Sequence, residues 1–283
     1  MAEYFTVRGM PVPRELERSP LSNWRRLLVI AVTLLVLYIG LQITNLDLSR
    51  ANPQYSLQVI SQLFKWDFRI LTPQNEFETF WDTAEGLMII TIFLGIIATA
   101  FSIVAALPLS FIGARNIMSG NPISIAIYVA VRLVFTIIRS IDVLILVIIT
   151  AVLLGIGNAA GVIALAFHNV GVLGKLYSEA IEGIDPGPLE AITATGANRL
   201  QVIWTAVLPQ IINPFISFTI YRLDTNVRLA PILGLVGGGG IGFILFQAIN
   251  LFQYGAAGLI IFMIVITVAT MDFASAQIRR RLV

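Results

Sequence analysis

Charged side chains inside apolar stretches are the residues of this chain best suited to a role in binding or transport. Arg139 and Asp142 lie in one apolar stretch, and Arg222, Asp224 and Arg228 lie in another. A charge at the depth of a hydrocarbon layer is costly, so it is retained where it serves a ligand or ion route, or where it is paired. Arginine outnumbers aspartate in these stretches, and this surplus predicts a route for an anion.

Pairing is the structural alternative for each of these charges. Arg139 precedes Asp142 closely enough to pair with it, and Asp224 and Arg228 have the i, i+4 spacing of neighbours on a helix. Arg222 has no favourable partner on its own helix. The arginines can also extend to an interface or cap a helix end, so both interpretations stay open.

The chain has one histidine and no cysteine. We therefore expect no metal site, and neither a nucleophile–base pair nor a P-loop, which needs Gly-Lys followed by Ser or Thr, is recognisable. His168 is predicted to hydrogen-bond between helices, and it is a further candidate for the lining of the anion route. Lys175 and Glu179 are predicted to form a structural pair. We expect no catalytic residue and no cofactor in this chain.

Composition places these residues in a membrane. Of the 283 residues, 57% are hydrophobic and 12% are charged, about half of the roughly 25% charge of soluble domains. Mean hydropathy is +0.88. A soluble domain of this size needs more charge to hydrate its surface, whereas lipid suits this composition. The predicted fold class is an all-α membrane protein.

The apolar runs and the basic residues together give the number of spans. The first run, 27–45, follows basic residues as a signal peptide would, but it has no small-residue cleavage site and is predicted to be a retained helix. The run 123–182 is long enough for two long helices or three short ones at about twenty residues per crossing. Basic residues concentrate in the tails 1–26 and 279–283 and at Arg115, whereas 46–85 is acidic on balance. Both termini are therefore predicted to be cytoplasmic, which requires an even number of spans, about six.

The last five spans are predicted to form a core at 86–278, after an outer segment at 46–85 with an interfacial helix around Leu57 and Ile60. Within the core, 231–250 has no charge, but four consecutive residues prevent a stable helix: Gly237, Gly238, Gly239 and Gly240. Non-helical backbone at membrane depth is tolerated only where protein buries it or where it lines a water-filled cavity. We predict a broken, re-entrant segment at 231–250 with these glycines as its gate.

A cytoplasmic loop at 183–209 is predicted to be a docking element. Asp185 and Pro186 form a good N-cap and first helical residue, Gly196 interrupts the helix, and Pro209 is expected to end a second piece. An ordinary amphipathic connector is the alternative. The loop resembles the "EAA" loop of ABC-importer permeases, whose Glu-Ala-Ala, Gly and Leu-Pro match Glu190-Ala191, Gly196 and Leu208-Pro209.

Three further stretches, 108–116, 168–188 and 221–242, resemble the phosphonate-import permease subfamily, which also contains importers of phosphite and other reduced phosphorus compounds. Two residues of the loop depart from the pattern, because Ile192 replaces an Ala and Ala206 replaces an Ile. Asp142 stands where a Pro is usual, which leaves open whether the expected helix break is retained there.

The resemblance implies a type I ABC-importer permease-like bundle whose loop 183–209 is a coupling helix seated on an ATPase subunit. It implies a homodimer around the translocation path, in the lipid of the bacterial inner membrane. It also implies two ATP-binding subunits that hold ATP and Mg, and an extracytoplasmic solute-binding protein. No nucleic acid is expected.

A secondary transporter or channel for a small anion, driven by an ion gradient, is the alternative from another class. Such a protein usually shows inverted repeats or membrane carboxylates that carry protons. No internal repeat is convincing here, and Asp142 and Asp224 both have arginine neighbours. A membrane-embedded enzyme is a third and more distant alternative.

Overall fold

The computed structural model describes residues 20–44, 52–73 and 79–282. Most of the predicted tail 1–26 and parts of the outer segment, 45–51 and 74–78, lie outside the described residues, as does Val283. The chain divides into two compact units, Met1–Leu57 and Gln58–Val283. Within the described residues of the first unit, the long helix Pro20–Thr44 is predominantly apolar from Leu27 to Ile43, and its large apolar side chains are exposed there.

The described part of the chain is helical. Its helices are α1 (Pro20–Thr44), α2 (Pro53–Leu63), α3 (Ala84–Ile112), α4 (Arg115–Met118), α5 (Pro122–Ser140), α6 (Val143–Leu154), α7 (Asn158–Glu182), α8 (Pro186–Ala194), α9 (Arg199–Val202), α10 (Leu208–Leu235), α11 (Ile241–Asn250) and α12 (Tyr254–Leu282). Six helices are long and apolar enough to cross a membrane, namely α1, α3, α5, α7, α10 with the residues before it, and α12. This confirms the predicted fold class and the number of spans.

The stretch 123–182 contains two long helices with a short one between them. α5 ends at Ser140, and Asp142 caps α6 because its carboxylate accepts a hydrogen bond from the backbone N–H of Leu144 at 2.8 Å. The break that Pro would enforce is therefore retained with Asp142, which takes an extended conformation that suits an N-cap. Pairing of Arg139 with Asp142, which the sequence left open as the structural alternative, is not seen within the described residues, where the carboxylate of Asp142 caps α6 instead.

Pro209 does not end a helix, contrary to the prediction. The chain runs through α9 and a π-helical turn, Ile203–Val207, directly into α10, in which Pro209 lies in the first turn. Proline lacks an N–H and its ring crowds the carbonyl of the preceding turn, so a widened turn is the expected response. The side-chain amide of Gln210 donates to the carbonyl of Ala206 at 2.9 Å.

The predicted break at 231–250 is shorter than expected. α10 continues through Pro231 to Leu235, and the chain is non-helical only between there and Ile241, where α11 begins. A proline inside a membrane helix is tolerated when its neighbours satisfy the freed backbone groups. The four glycines do lie in the non-helical turn, as predicted.

Close helix packing builds the core of the second unit. α3 and α7 form the most extensive contact, α10 packs against both, α5 and α6 pack on α7, and α11 and α12 pack on α10. Small residues permit these approaches, since a Cβ on Gly95 would lie 3.0 Å from the backbone nitrogen of Val227, and Gly174 faces the ring of Phe135. These small residues thus bring α3 close to α10 and α7 close to α5.

The outer segment packs against the start of α12. The backbone of Leu63 and Lys65 lies directly against Gly258 and Gly255 of α12, where a Cβ would collide. Trp66 stacks on Phe262 with ring centroids 4.6 Å apart. The predicted helix of this segment is present as α2, and the segment after it holds the start of α12.

Candidate functional site

The predicted docking element is a short helix with defined ends. Asp185 caps α8 by accepting a hydrogen bond from the N–H of Gly187 at 2.9 Å, and Pro186 is its first residue. Gly196 follows the helix with a φ of 81°, in the left-handed region. Asn198 and Gln201 then exchange hydrogen bonds of 2.9 and 2.8 Å between side chain and backbone, which start α9. Two helical pieces and a glycine hinge are present as predicted.

The residues of the EAA-like pattern form an exposed surface. Glu190, Ala191, Gly196 and Pro209 are exposed, and Leu208 is half-buried. In the described part of the chain Glu190 makes no ion pair or side-chain hydrogen bond. Beneath α8 lies a cavity of about 310 Å³ lined by Leu189 and Thr193, among others. α8 is therefore held at its ends rather than by dense packing along its length.

An ion network joins the cytoplasmic ends, on the predicted topology, of α3, α5 and α7. Arg132 lies 2.6 Å from Glu182 and 3.6 Å from Glu179, and its Nε donates to the carbonyl of Gly113 at 2.9 Å. Lys175 lies 3.8 Å from Glu179, as the spacing predicted. These contacts are structural, because each charge has an opposite charge beside it.

Arg222 lies in the interior of the bundle and not on its surface. It is 8% exposed, and its Nε donates to the side-chain oxygen of Asn169 on α7 at 3.0 Å, with a second hydrogen bond from Nη2 to the same oxygen. One turn later on α10, Asn226 is fully buried and donates to Thr99 of α3 at 2.7 Å. A polar junction thus connects α3, α7 and α10.

His168 lies next to this junction and faces the α5–α6 corner. Its Nδ1 is 3.2 Å from the carbonyl of Ile141, which confirms the predicted interhelical hydrogen bond. His168 directly precedes Asn169, the hydrogen-bond partner of Arg222, on α7. Within the described residues, no hydrogen bond or ion pair joins Arg139 to His168 or to Arg222.

Arg228 belongs to a second cluster. It lies 3.4 Å from Asp224, as predicted, and it also pairs with Asp272 of α12, which the sequence did not suggest. Its side chain is 52% exposed, whereas the side chain of Asp224 is buried. Arg228 thus carries two carboxylates beside it and joins α10 to α12.

The four glycines form a tight, buried turn. Three of them have positive φ: 101° at Gly237, 76° at Gly239 and 71° at Gly240. The N–H of Gly240 donates to the side chain of Asn158 at 3.1 Å, and the N–H of Ile241 donates to Thr91 at 2.8 Å. These two backbone N–H groups are therefore hydrogen-bonded by α7 and α3. Of the two settings that tolerate non-helical backbone at membrane depth, this turn has the first, burial in protein.

Sequence reasoning missed the neutral partners in these clusters. Asn169, Asn158 and Thr91 carry no charge, and only their positions within long apolar runs could have pointed to them. Asp272 was not predicted as a partner because it lies near the end of the last apolar run, close to the arginine tail, where a charged residue is expected in any case.

Comparison with known proteins gives a consistent result. Residues 106–283 match the family model described as "Binding-protein-dependent transport system inner membrane component". The chain is 38% identical over 193 residues to a phosphate-import permease protein of Mycolicibacterium smegmatis, an alignment that covers 68% of this chain and 36% of that protein. It is 37% identical over 193 residues to a phosphite transport system permease protein of Stutzerimonas stutzeri, covering 68% of this chain and 69% of that one. A protein of Escherichia coli described as a cryptic phosphonate transport system permease is 46% identical over 121 residues, 43% of this chain and 99% of its own length.

Solved structures agree on the fold. The structure of the methionine ABC transporter MetNI in inward-facing conformations contains a chain with a TM-score of 0.59 and 25% identity, and the match covers 69% of this chain and 94% of that one. The predicted resemblance to ABC-importer permeases of the phosphonate group is thereby confirmed.

Proposed function

Because the chain belongs to the family of inner membrane components of binding-protein-dependent transport systems, we propose that it is the permease subunit of an ATP-driven importer. Its cargo is phosphonate or a related phosphorus oxyanion such as phosphite, in line with the names of its relatives. The chain itself carries out no covalent chemistry.

One observation supports this function most directly: the exposed helix α8, with Glu190 and Ala191 on its surface, between two long apolar helices. A short capped helix, with a cavity beneath it and a Glu190 carboxylate that has no ion pair among the described residues, suits docking into a groove on another protein. The proposed partner is an ATPase subunit, one for each of two copies of this chain. ATP and Mg are bound on the ATPase subunits.

The two copies enclose the translocation path in the bacterial inner membrane, surrounded by lipid. Both termini and α8 face the cytoplasm, and an extracytoplasmic solute-binding protein delivers the anion. ATP-driven closure of the ATPase subunits draws the two α8 helices together. Because α8 leads through Gly196 and the π-helical turn into α10, this movement reaches Arg222 and the glycine turn.

Arg139, His168 and Arg222 are proposed to act on the anion along its route. Arg228 and Asp224 form a paired site further along α10, and the turn from Gly237 to Gly240 is the gate. Since the turn is tightly packed against α3 and α7, it opens only when α10 moves relative to both of them.

The test is reconstitution with the candidate ATPase and binding protein encoded beside this chain. We expect the ATPase to co-purify with the permease in detergent, and Glu190→Lys to abolish this while the variant inserts and elutes normally by itself. Thr136→Val on the exposed side of α5 serves as the control. Co-purification that is unchanged in Glu190→Lys would contradict the docking role of α8.

A further inference from the structure

The contact between Asn169 and Arg222 differs from the other charged contacts of the spans. Asn169 is fully buried and Arg222 is 8% exposed. The oxygen of the Asn169 side chain accepts two hydrogen bonds from the guanidinium. Its nitrogen, Nδ2, is buried and has no hydrogen-bond partner among the described residues. A buried donor without a partner is unfavourable, so its retention calls for a reason.

The partner of Arg222 is neutral. Arg132, Lys175 and Arg228 each have a carboxylate within 4.0 Å. Within the described residues Arg222 has none, and Arg139, which also lacks one, is exposed. A buried guanidinium bound only by an amide keeps its full positive charge in a medium of low dielectric constant, where a charge is costly and attracts an anion strongly.

We infer that Asn169 and Arg222 form an oxyanion subsite inside the helix bundle, between α7 and α10. This inference rests on the proposed function. Asn169 is the positioning residue: its oxygen orients the guanidinium without neutralising it, and its Nδ2 group offers a further N–H donor. A tetrahedral phosphorus oxyanion takes N–H donors from a cation and from a neutral amide together, and charge-assisted hydrogen bonds of this kind are the strong ones.

The subsite is closed in this conformation. Because Arg222 is 8% exposed, an anion reaches it only after α10 has moved away from α7. This matches the movement that the proposed function requires of α10, so binding at this pair and the opening of the path occur together.

Two substitutions of Asn169 separate a charge-presenting role from a structural one. Asn169→Asp keeps the size and the acceptor oxygen but neutralises Arg222 with an ion pair. Asn169→Gln stays neutral and keeps both donor and acceptor, but adds a methylene to a fully buried site, which overpacks it. A structural role predicts that Asp functions better than Gln, and the subsite predicts the reverse order.

The measurement is uptake of labelled phosphite and of methylphosphonate by proteoliposomes that contain the whole transporter, with the amount of assembled complex and its thermal midpoint determined in parallel. We expect Asn169→Asp to assemble with a midpoint at or above that of the unchanged protein, and its uptake to fall roughly tenfold to a hundredfold, as the loss of a hydrogen bond to a charged group predicts. Asn169→Gln should retain more uptake per assembled complex than Asn169→Asp.

Wild-type uptake in Asn169→Asp would overturn the subsite, and so would failure of that variant to assemble, because a carboxylate beside an uncompensated guanidinium should stabilise the bundle. Neither result would affect the proposed function while the unchanged protein transports. Absence of uptake by the unchanged protein would instead reject the proposed function.

Discussion

The side chain of Gln210 holds the start of the exposed helix α8. Its Oε1 accepts a hydrogen bond from the backbone N–H of Asp185 at 2.9 Å, and its Nε2 donates to the carbonyl of Ala206. Asp185 is the N-cap of α8, and Ala206 lies in the π-helical turn before α10. One amide therefore ties the proposed docking helix to the base of the helix that carries Arg222.

Gln210→Leu should uncouple α8 from α10 without unfolding the protein. Each hydrogen bond of this kind contributes about 1 kcal/mol, which a bundle of this size can lose. We expect a lower ratio of anion transported to ATP hydrolysed in proteoliposomes. Gln277→Leu, the same substitution at an exposed position of α12, is the control. An unchanged transport ratio in Gln210→Leu would show that this link does not transmit movement.

Gly196 is required for its backbone conformation and not for its small size. Its φ is 81°, yet a Cβ added to it would meet no atom within 4 Å. Proline cannot adopt this φ, whereas asparagine tolerates it. Gly196→Pro should abolish stimulation of ATP hydrolysis by the loaded binding protein while the permease still inserts, and Gly196→Asn should retain most of it. Equal stimulation in both variants would show that the left-handed conformation at position 196 is not needed for coupling.

Cysteine labelling tests the orientation, since the chain has no native cysteine. Asn75→Cys, in the outer segment but outside the described residues, should react with an impermeant reagent added to intact cells. Ala194→Cys, exposed at the end of α8, should react only after the membrane is opened. Position 198 is less suitable because Asn198 caps α9. The opposite labelling pattern would place α8 outside and exclude the docking role.

Thr91 supports the glycine turn from α3. It is fully buried, and its hydroxyl accepts from the N–H of Ile241, the first residue of α11. Thr91→Val keeps the shape but leaves that N–H unsatisfied, at a cost of about 1–3 kcal/mol. The thermal midpoint of the purified protein should fall. In the control Thr136→Val, the hydroxyl that is removed donates to the carbonyl of Arg132 in the same exposed helix, so the midpoint should not change. Equal midpoints in both variants would show that Thr91 does not stabilise the glycine turn.

The long helices could be predicted from the sequence because hydropathy and charge vary along the chain and can be evaluated without knowing which helices are in contact. The six spans, the N-cap at Asp185 followed by Pro186, and the interruption at Gly196 follow from such local rules. The prediction that Pro209 ends a helix is wrong, because the chain forms a π-helical turn at Ile203–Val207 and continues as a helix through Pro209. The predicted break at 231–250 depends on its four glycines, and the helix continues through Pro231 to Leu235 before that break.

The contacts of the candidate site could not be predicted in the same way. The partner of Arg222 is Asn169, far away in sequence and on another helix, and the second partner of Arg228 is Asp272. By its spacing Asp142 could pair with Arg139, but its carboxylate accepts a hydrogen bond from the N–H of Leu144 at the start of α6. Which of several suitable groups a charge contacts depends on helix packing, and the small residues that set this packing carry no charge pattern.

Uptake of labelled phosphite into proteoliposomes distinguishes an ATP-driven importer from a transporter driven by an ion gradient. The vesicles hold this chain with its ATPase subunits, ATP is supplied on the side of the ATPase, and the binding protein is supplied on the opposite side. The account predicts accumulation that requires both ATP and the binding protein and that persists when ionophores collapse all ion gradients. Accumulation without ATP that disappears with the ionophores would contradict it, and would identify a transporter driven by an ion gradient.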